Sequence, residues 1–158
     1  MEAVRQAIEL PVLKRHGITL TLKREDLLFP LLSGNKFRKL KYNLEYARQQ
    51  GHKTLLTFGG AFSNHLHATA AAGKHYGFRT IGLVRGEELA EQPLNPTLAS
   101  ALESGMQLEF VSRETYSRKS ETSFQRSLLD QFGPVYILPE GGTNERAVRG
   151  CMEILGEG

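Results

Sequence analysis

The feature that most constrains the fold is a repeated succession of a short apolar run, a glycine turn and a helical pattern. Residues 53–58 form a compact apolar run, Gly59-Gly60 supplies a tight turn, and residues 64–76 form an alanine-rich helical pattern that ends on Gly77. Strands that alternate with helices in this way pair in parallel, because each helix returns the chain to the same edge of the sheet. The sequence therefore predicts an α/β protein.

The same succession continues along the chain. Further strands are predicted at residues 80–84, 108–111 and 135–138, and further helices at residues 96–103 and 123–132. Nearer the start, residues 18–23 alternate as a strand does, and apolar residues at helical spacing from Phe37 to Ala47 predict a helix that Gly51 closes. Together these patterns predict an open, largely parallel sheet of about four strands flanked by helices.

Composition and charge narrow the class of protein. The chain is 40% hydrophobic and 23% charged, which suits a folded core, and its net charge of +3 is too low for the dense basic face of a nucleic-acid-binding protein. The single cysteine, Cys151, excludes an intramolecular disulfide, and we interpret it as a packed side chain rather than a nucleophile. No stretch has the pattern of a secretory signal or a membrane span. We therefore expect a cytoplasmic protein with no nucleic-acid or membrane partner.

A lysine at the start of a helix is the first candidate site. In residues 33–36, a glycine-containing turn leads into the helix, so Lys36 lies at its positive end with Arg38 and Lys39 close by. The helix dipole and these cations disfavour another ammonium, which predicts a lowered pKa and an amine suited to imine formation. The alternative is that Lys36 and the cations after it form a solvated charged face.

A glycine turn after a predicted strand is the second candidate. Ser63, Asn64 and His65 follow this turn, and ligands of open α/β sheets bind outside the carboxyl ends of the strands. Ser63 and Asn64 would then point into the crevice, although capping of the helix is an alternative that is compatible with binding. His65 and His67 lie two positions apart and so on different helix faces, and no cysteine or acidic pair nearby completes a metal set. We expect no metal site.

Residues 140–144, Glu-Gly-Gly-Thr-Asn, form the third candidate, another glycine turn after a predicted strand. Such a turn either cradles an anion on its backbone amides or joins a strand to a helix that Thr143 or Asn144 caps. The pattern alone leaves both alternatives open.

Taken in order, four segments resemble one enzyme family. They are residues 23–26, residues 33–40, the turn at residues 59–60 with residues 63–65, and residues 139–144. This combination is similar to the 1-aminocyclopropane-1-carboxylate deaminase and D-cysteine desulfhydrase family, a branch of the tryptophan-synthase-like enzymes that depend on pyridoxal 5′-phosphate (PLP). The run Gly-Asn-Lys-x-Arg-Lys-Leu around Lys36 points to this branch. The resemblance implies the small domain of that fold plus part of its large domain.

The resemblance also implies a role for each candidate residue. Lys36 would hold PLP covalently and act as the base at the substrate's α-carbon, with Asn35 assisting the lysine or the cofactor. Asn64 would bind PLP beside its ring and contact the substrate. Ser63, which we also place among the catalytic residues, and His65 would hold the substrate carboxylate. The implied reaction, carried out by a homo-oligomer, releases ammonia and a 2-keto acid from a small amino acid, 1-aminocyclopropane-1-carboxylate or D-cysteine.

A division into domains follows from the same resemblance. Residues 1–50 would be the N-terminal segment of the large domain with the cofactor lysine, residues 51–138 the small α/β domain, and residues 139–158 the start of the return to the large domain. In the family, the phosphate-binding loop, the partner of the pyridine nitrogen and an active-site tyrosine lie in the later half of a longer chain, so we expect a truncated chain. The alternatives are a catalytically inactive fragment of such an enzyme and a small-ligand-binding α/β module.

Overall fold

The structure, a computed structural model, describes residues 3–28 and 34–156. The strands in this part of the chain are β1 (Val4–Ile8), β2 (Leu20–Arg24), β3 (Thr54–Gly59), β4 (Arg79–Arg85), β5 (Met106–Val111) and β6 (Val135–Ile137). The helices are α1 (Pro11–Arg15), α2 (Asn35–Gln49), α3 (Asn64–Tyr76), α4 (Pro96–Glu103), α5 (Arg113–Ser117), α6 (Thr122–Phe132) and α7 (Glu145–Gly156). None of these helices is long and apolar enough to cross a membrane.

The centre of the fold is a four-stranded parallel sheet in the order β5-β4-β3-β6. Successive residues of β3 face opposite sides of this sheet, as strand geometry requires. Leu55 packs in a cluster with side chains of α2 and α3, whereas Leu56 packs in a cluster with side chains of α5 and α6. The predicted α/β fold, with a parallel sheet of about four strands flanked by helices, is confirmed.

Local capping explains why the predicted helix bounds agree with the structure. α3 begins after Ser63, whose side chain accepts a hydrogen bond from the Leu66 amide, and ends at Gly77 in the left-handed conformation with φ 76°. α4 begins after Asn95, which accepts from the Leu98 amide. Both helices span the residues predicted from the sequence, because a helix cap depends on residues within one turn and not on how the helix packs.

The start of the chain differs more from the prediction. β1 and β2 pair as a separate two-stranded antiparallel sheet, with Val4 opposite Arg24 and Ile8 opposite Leu20. The strand predicted at residues 18–23 is therefore present, but its partner β1 was missed, as were the five-residue helices α1 and α5. A helix of five residues spans fewer than two turns, too few to show a helical period in the sequence.

The last helix, α7, packs along α2 rather than against a further strand. The two helices approach closely at Gly150, where a Cβ atom would stand 2.0 Å from the carbonyl oxygen of Arg38. Beside this contact, Arg38 pairs with Glu25 at 3.1 Å and with Glu153 at 3.2 Å, and its side chain is 2% exposed. Arg38 therefore does not belong to a solvated charged face, and that alternative is wrong for this residue. The proposed division of the chain at residues 50 and 138 stays a prediction.

Candidate active site

Lys36 is the second residue of α2, which begins after Gly34 in the left-handed region with φ 66°. Its Nζ donates to the carbonyl oxygen of Gly141 at 3.4 Å, and the side chain is half-buried. Burial is the largest cause that lowers the pKa of Lys36, followed by the charge of Lys39. The predicted lowering of the pKa is confirmed. Burial was not among the expected causes, and Arg38, which was, forms ion pairs with carboxylates. Ser33, the first residue of this candidate segment, lies outside the described residues.

The third candidate, the Gly141–Gly142 turn, faces Lys36 and connects β6 to α7. Both glycines have positive φ, 68° and 69°, a conformation that favours glycine. The carbonyl oxygen of Gly141 accepts a second hydrogen bond, from Lys39 Nζ at 3.2 Å. Asn144 caps α7 by accepting from the Ala147 amide at 2.9 Å. The strand-to-helix alternative is thus confirmed, and the turn presents a carbonyl oxygen to two ammonium groups.

The second candidate lies at the carboxyl end of β3. Ser63 Oγ accepts from the Leu66 amide at 3.2 Å, which confirms the capping role. Gly59 makes this arrangement possible, because a Cβ atom there would stand 2.5 Å from Ser63 Oγ. Asn64, the first residue of α3, is exposed, as is Asn35, the first residue of α2. Ser63 is half-buried.

His65 is buried, with 2% of its surface exposed. Its Nε2 lies 2.9 Å from Thr57 Oγ1, while its Nδ1 has no hydrogen-bond partner within residues 3–28 and 34–156. Burial, then the charges of Lys36 and Lys39, lower its pKa to about 3, so the ring is neutral near neutral pH. A neutral, covered ring brings no positive charge to a substrate carboxylate, and a substrate contact by His65 stays a prediction. His67 contacts Ser100 Oγ at 3.1 Å, so the two rings face different neighbours.

The turn brings two of the predicted residues together from distant parts of the chain. Lys36 reaches the carbonyl of Gly141, and the ring of His65 lies against Gly142, where a Cβ atom would stand 2.7 Å from Cε1. The same proximity explains why Lys36 contributes to the lowered pKa of His65. The predicted amine and the predicted histidine therefore share one turn.

A cluster around Glu140 was not singled out from the sequence. Tyr116 donates to Glu140 Oε1 at 2.7 Å, and Lys119 Nζ lies 3.3 Å from Oε2. The hydrogen bond from Tyr116 is the largest cause that lowers the pKa of Glu140, while burial raises the pKa of Tyr116. Arg85, the last residue of β4, stacks on the Tyr116 ring at 5.7 Å. Glu140 belongs to the third candidate segment and Arg85 follows a predicted strand, and these positions were the sequence signals for the cluster.

Comparison with known proteins finds relatives in sequence. No family model matches the chain. A protein of Thermotoga maritima, provisionally named 1-aminocyclopropane-1-carboxylate deaminase, is 35% identical over 144 residues, which cover 90% of this chain and 45% of the relative. The mitochondrial bifunctional D-cysteine desulfhydrase/1-aminocyclopropane-1-carboxylate deaminase of Arabidopsis thaliana is 32% identical over 149 residues, 90% of this chain and 37% of the relative.

Solved structures give the same result. The crystal structure of an ACC deaminase homologue is similar with a TM-score of 0.78 and 27% identity, over 99% of this chain and 47% of the homologue. The chain thus spans about half the length of the relatives that it matches. In sequence and in fold, it is similar to about half the length of proteins named 1-aminocyclopropane-1-carboxylate deaminase or D-cysteine desulfhydrase.

Proposed function

We propose that this chain supplies the lysine side of a PLP-dependent lyase site, at which a small amino acid loses ammonia and becomes a 2-keto acid. The names of the relatives suggest 1-aminocyclopropane-1-carboxylate or D-cysteine as that amino acid. The observation that carries the proposal is the state of Lys36, a half-buried amine with a lowered pKa beside a carbonyl acceptor at the start of a helix. An amine of this kind is suited to react with an aldehyde.

The described residues fit an aldehyde-bearing cofactor such as PLP. A lowered pKa leaves a larger neutral fraction of Lys36, and only the neutral amine is nucleophilic. Gly60, just after β3, offers open backbone, since a Cβ atom there would have Arg85 Nη2, at 3.9 Å, as its nearest neighbour. When bound, PLP accepts the electrons that are released at the α-carbon of an amino acid.

The remaining residues have roles that their positions permit. Lys36 would bind the cofactor and then take the proton from the substrate's α-carbon, since a displaced amine close to that carbon is a general base. Asn35 and Asn64 would bind the cofactor, and both are exposed at the starts of their helices. Ser63 would bind the substrate carboxylate with its hydroxyl proton, because the helix cap uses only its oxygen lone pair. Asn64 would assist Ser63 in this contact.

A second candidate function is that of a catalytically inactive part of such an enzyme. The observation that favours it is that the chain spans 45% of the Thermotoga maritima relative and 37% of the Arabidopsis thaliana relative. Active sites of α/β enzymes commonly gather residues from several loops, so half a chain supplies half a site. Under this alternative the fold persists without turnover. Assembly as a homo-oligomer is likewise a proposal.

The test is covalent mapping of the cofactor lysine. The purified chain is incubated with PLP, reduced with borohydride and digested, and the modified lysine is identified by mass spectrometry. We expect one adduct per chain on Lys36, lost in Lys36→Ala and retained in the control Lys74→Ala, which removes an exposed lysine at the far end of α3. Labelling spread over several lysines would contradict the assigned role.

Assays with D-cysteine and 1-aminocyclopropane-1-carboxylate then separate the two candidate functions. Production of ammonia and a 2-keto acid, abolished in Lys36→Ala, supports the lyase. An adduct on Lys36 without turnover of either amino acid supports the inactive fragment.

A further inference from the structure

Thr57 joins three elements through one buried hydroxyl. It lies in β3 with 0% exposure, and its Oγ1 donates to the carbonyl oxygen of Leu138, just after β6, at 3.0 Å. The same oxygen lies 2.9 Å from Nε2 of His65 in α3. Because the single hydroxyl proton is directed at Leu138, the oxygen must accept from His65. The His65 ring therefore carries its proton on Nε2 and leaves Nδ1 as a bare lone pair.

The opposite edge of the His65 ring contacts the Gly141–Gly142 turn. A Cβ atom at Gly142 would stand 2.7 Å from Cε1 and 3.0 Å from Nδ1 of His65, so no side chain fits between ring and turn. Thr57 thus fixes the chain where it leaves β6 at Leu138, and His65 fixes it again at Gly142. The turn is held at both ends by side chains that the proposed chemistry does not use.

The Gly141–Gly142 turn also lies against Lys36. The carbonyl oxygen of Gly141 accepts from Lys36 at 3.4 Å and from Lys39 at 3.2 Å. Any displacement of Gly142 moves this carbonyl, because the two residues share a peptide bond. A shift of the buried His65 ring would therefore move the Gly141 carbonyl that lies beside the Lys36 amine.

We infer that Thr57 and His65 are positioning residues for Lys36, which hold the Gly141–Gly142 turn against the lysine amine and thereby keep that amine partly buried and reactive. In this role His65 acts on Lys36 through the turn. The inference rests on the proposed function, since it concerns the amine that would carry the cofactor, but its test uses the chain without PLP.

Burial and the neighbouring charges determine whether displacing the turn raises or lowers the pKa of Lys36. Lys39 on α2 lowers the pKa of Lys36 and Cys151 on α7 raises it, but burial is the largest cause. His65, with a pKa of about 3, stays neutral throughout the range in which lysine titrates, and Glu140 in the same turn faces His65. Displacing the turn uncovers the amine and so raises the pKa of Lys36 towards that of an ordinary lysine.

The experiment measures the titration of the Lys36 amine. Folded chain is acetylated with a trace of acetic anhydride at a series of pH values, and mass spectrometry compares Lys36 with exposed Lys74. Thr57→Val removes the hydroxyl, while Thr57→Ser keeps it as the matched control. We expect Thr57→Val to raise the apparent pKa of Lys36, so that labelling below that pKa slows about threefold for each half unit. Thr57→Ser should retain the titration of the unmodified chain.

A second pair of variants tests the ring contact from the side of the turn and leaves Thr57 unchanged. Gly142→Ala drives a methyl group into the His65 ring, whereas Gly141→Ala carries similar backbone strain, φ 68° against 69°, with Thr143 Oγ1 as its nearest neighbour at 3.9 Å. Gly142→Ala should raise the apparent pKa of Lys36 clearly more than Gly141→Ala does. If Thr57→Val does not fold, this pair by itself tests whether the turn positions Lys36.

Two results would overturn the inference. One is an unchanged Lys36 titration in Gly142→Ala or in folded Thr57→Val, as judged by circular dichroism and thermal unfolding. The other is an equal shift in Gly141→Ala and Gly142→Ala, which would assign the effect to backbone strain rather than to His65. The expected shifts without any PLP adduct on Lys36 would support the positioning role and reject the proposed function alone.

Discussion

Two regions of the molecule are stabilised in different ways. The first is the four-stranded sheet, and the second consists of β1, β2 and the contact between α2 and α7. All six residues of β3 are buried between helices, whereas four of the five residues of β1 are exposed, and Leu22 of β2 is 49% exposed. The second region relies on charge: Arg38 joins Glu25 to Glu153, and Lys23 donates to the carbonyl of Ile154 at 2.7 Å. Apolar residues in strands are therefore no measure of burial, because burial depends on which helices cover the strand.

The sharpest test of this difference is the same truncation in both regions. Leu56→Ala in β3 should lower the free energy of unfolding by about 2–5 kcal/mol, because Leu56 is fully buried and its removal leaves a cavity. Leu22→Ala in β2 should cost less than about 1 kcal/mol, since the side chain is already half in water. Urea unfolding followed by circular dichroism measures both. Equal losses would contradict the view that β3 lies in the apolar core and β2 does not.

Acid should weaken the four-stranded region first. The pKa of His65 falls from 6.5 in the unfolded chain to about 3 in the fold, so the unfolded state binds the proton more readily below pH 6.5. The stability contributed by the neutral ring is present above that pH and is lost as pH falls towards 3, by roughly 2–4 kcal/mol in total. Urea midpoints over this range should fall for the unmodified chain and stay flatter in His65→Gln. Parallel pH profiles for the two proteins would contradict this assignment.

The contact between α2 and α7 should depend on the absence of a side chain at Gly150. Gly150→Ala places a methyl group against the Arg38 carbonyl and should cost about 1–3 kcal/mol through overpacking. Gly156→Ala, in the same helix but with open space around it, is the matched control and should change stability little. Hydrogen exchange of α7 amides distinguishes local separation of the helices from global unfolding. Faster exchange confined to α7 in Gly150→Ala alone is the expected pattern.

The smallest effect is expected for the carboxylate that bridges the two helices. Glu153 accepts from Lys41 at 2.7 Å and from Tyr42, and these bonds are the largest causes that lower its pKa. Its contribution to stability is present above the ordinary pKa of 4.5 and is lost as pH falls through the lower value in the fold. Glu153→Gln should cost about 1 kcal/mol at neutral pH, since the site is partly exposed and Arg38 keeps Glu25. The cost, measured by urea unfolding, should vanish in acid; a cost that persists there would assign it to packing.

The secondary structure of the sheet region was largely predictable from the sequence. Residues 64–76 and 96–103 were predicted as helices and form α3 and α4 with those bounds. Their caps, Ser63 and Asn95, act through hydrogen bonds to amides three residues on. Local signals of this kind do not depend on the rest of the fold, so they can be interpreted without it.

The candidate site was predictable in part. Lys36 was identified from its place at a helix start, and the lowered pKa agrees in direction. The sequence did not reveal that His65 would be buried and neutral, nor that Arg38 would be ion-paired rather than solvated. Arg38 was assigned to the surface in one alternative, and the burial of either side chain depends on partners that are distant in the sequence.

The sequence by itself determined the parallel α/β class and most of its strands and helices, because periodicity, caps and glycine turns act over a few residues. The cofactor role of Lys36 came from the family resemblance and stays a prediction. Only the tertiary structure decided how those parts meet. Thr57 and Leu138 bond across 81 residues of sequence, and Arg38 and Glu153 across 115. Contacts over such separations form only when the whole chain has folded, and they determine which polar groups are buried, which amine has a lowered pKa and which turn lies beside the lysine.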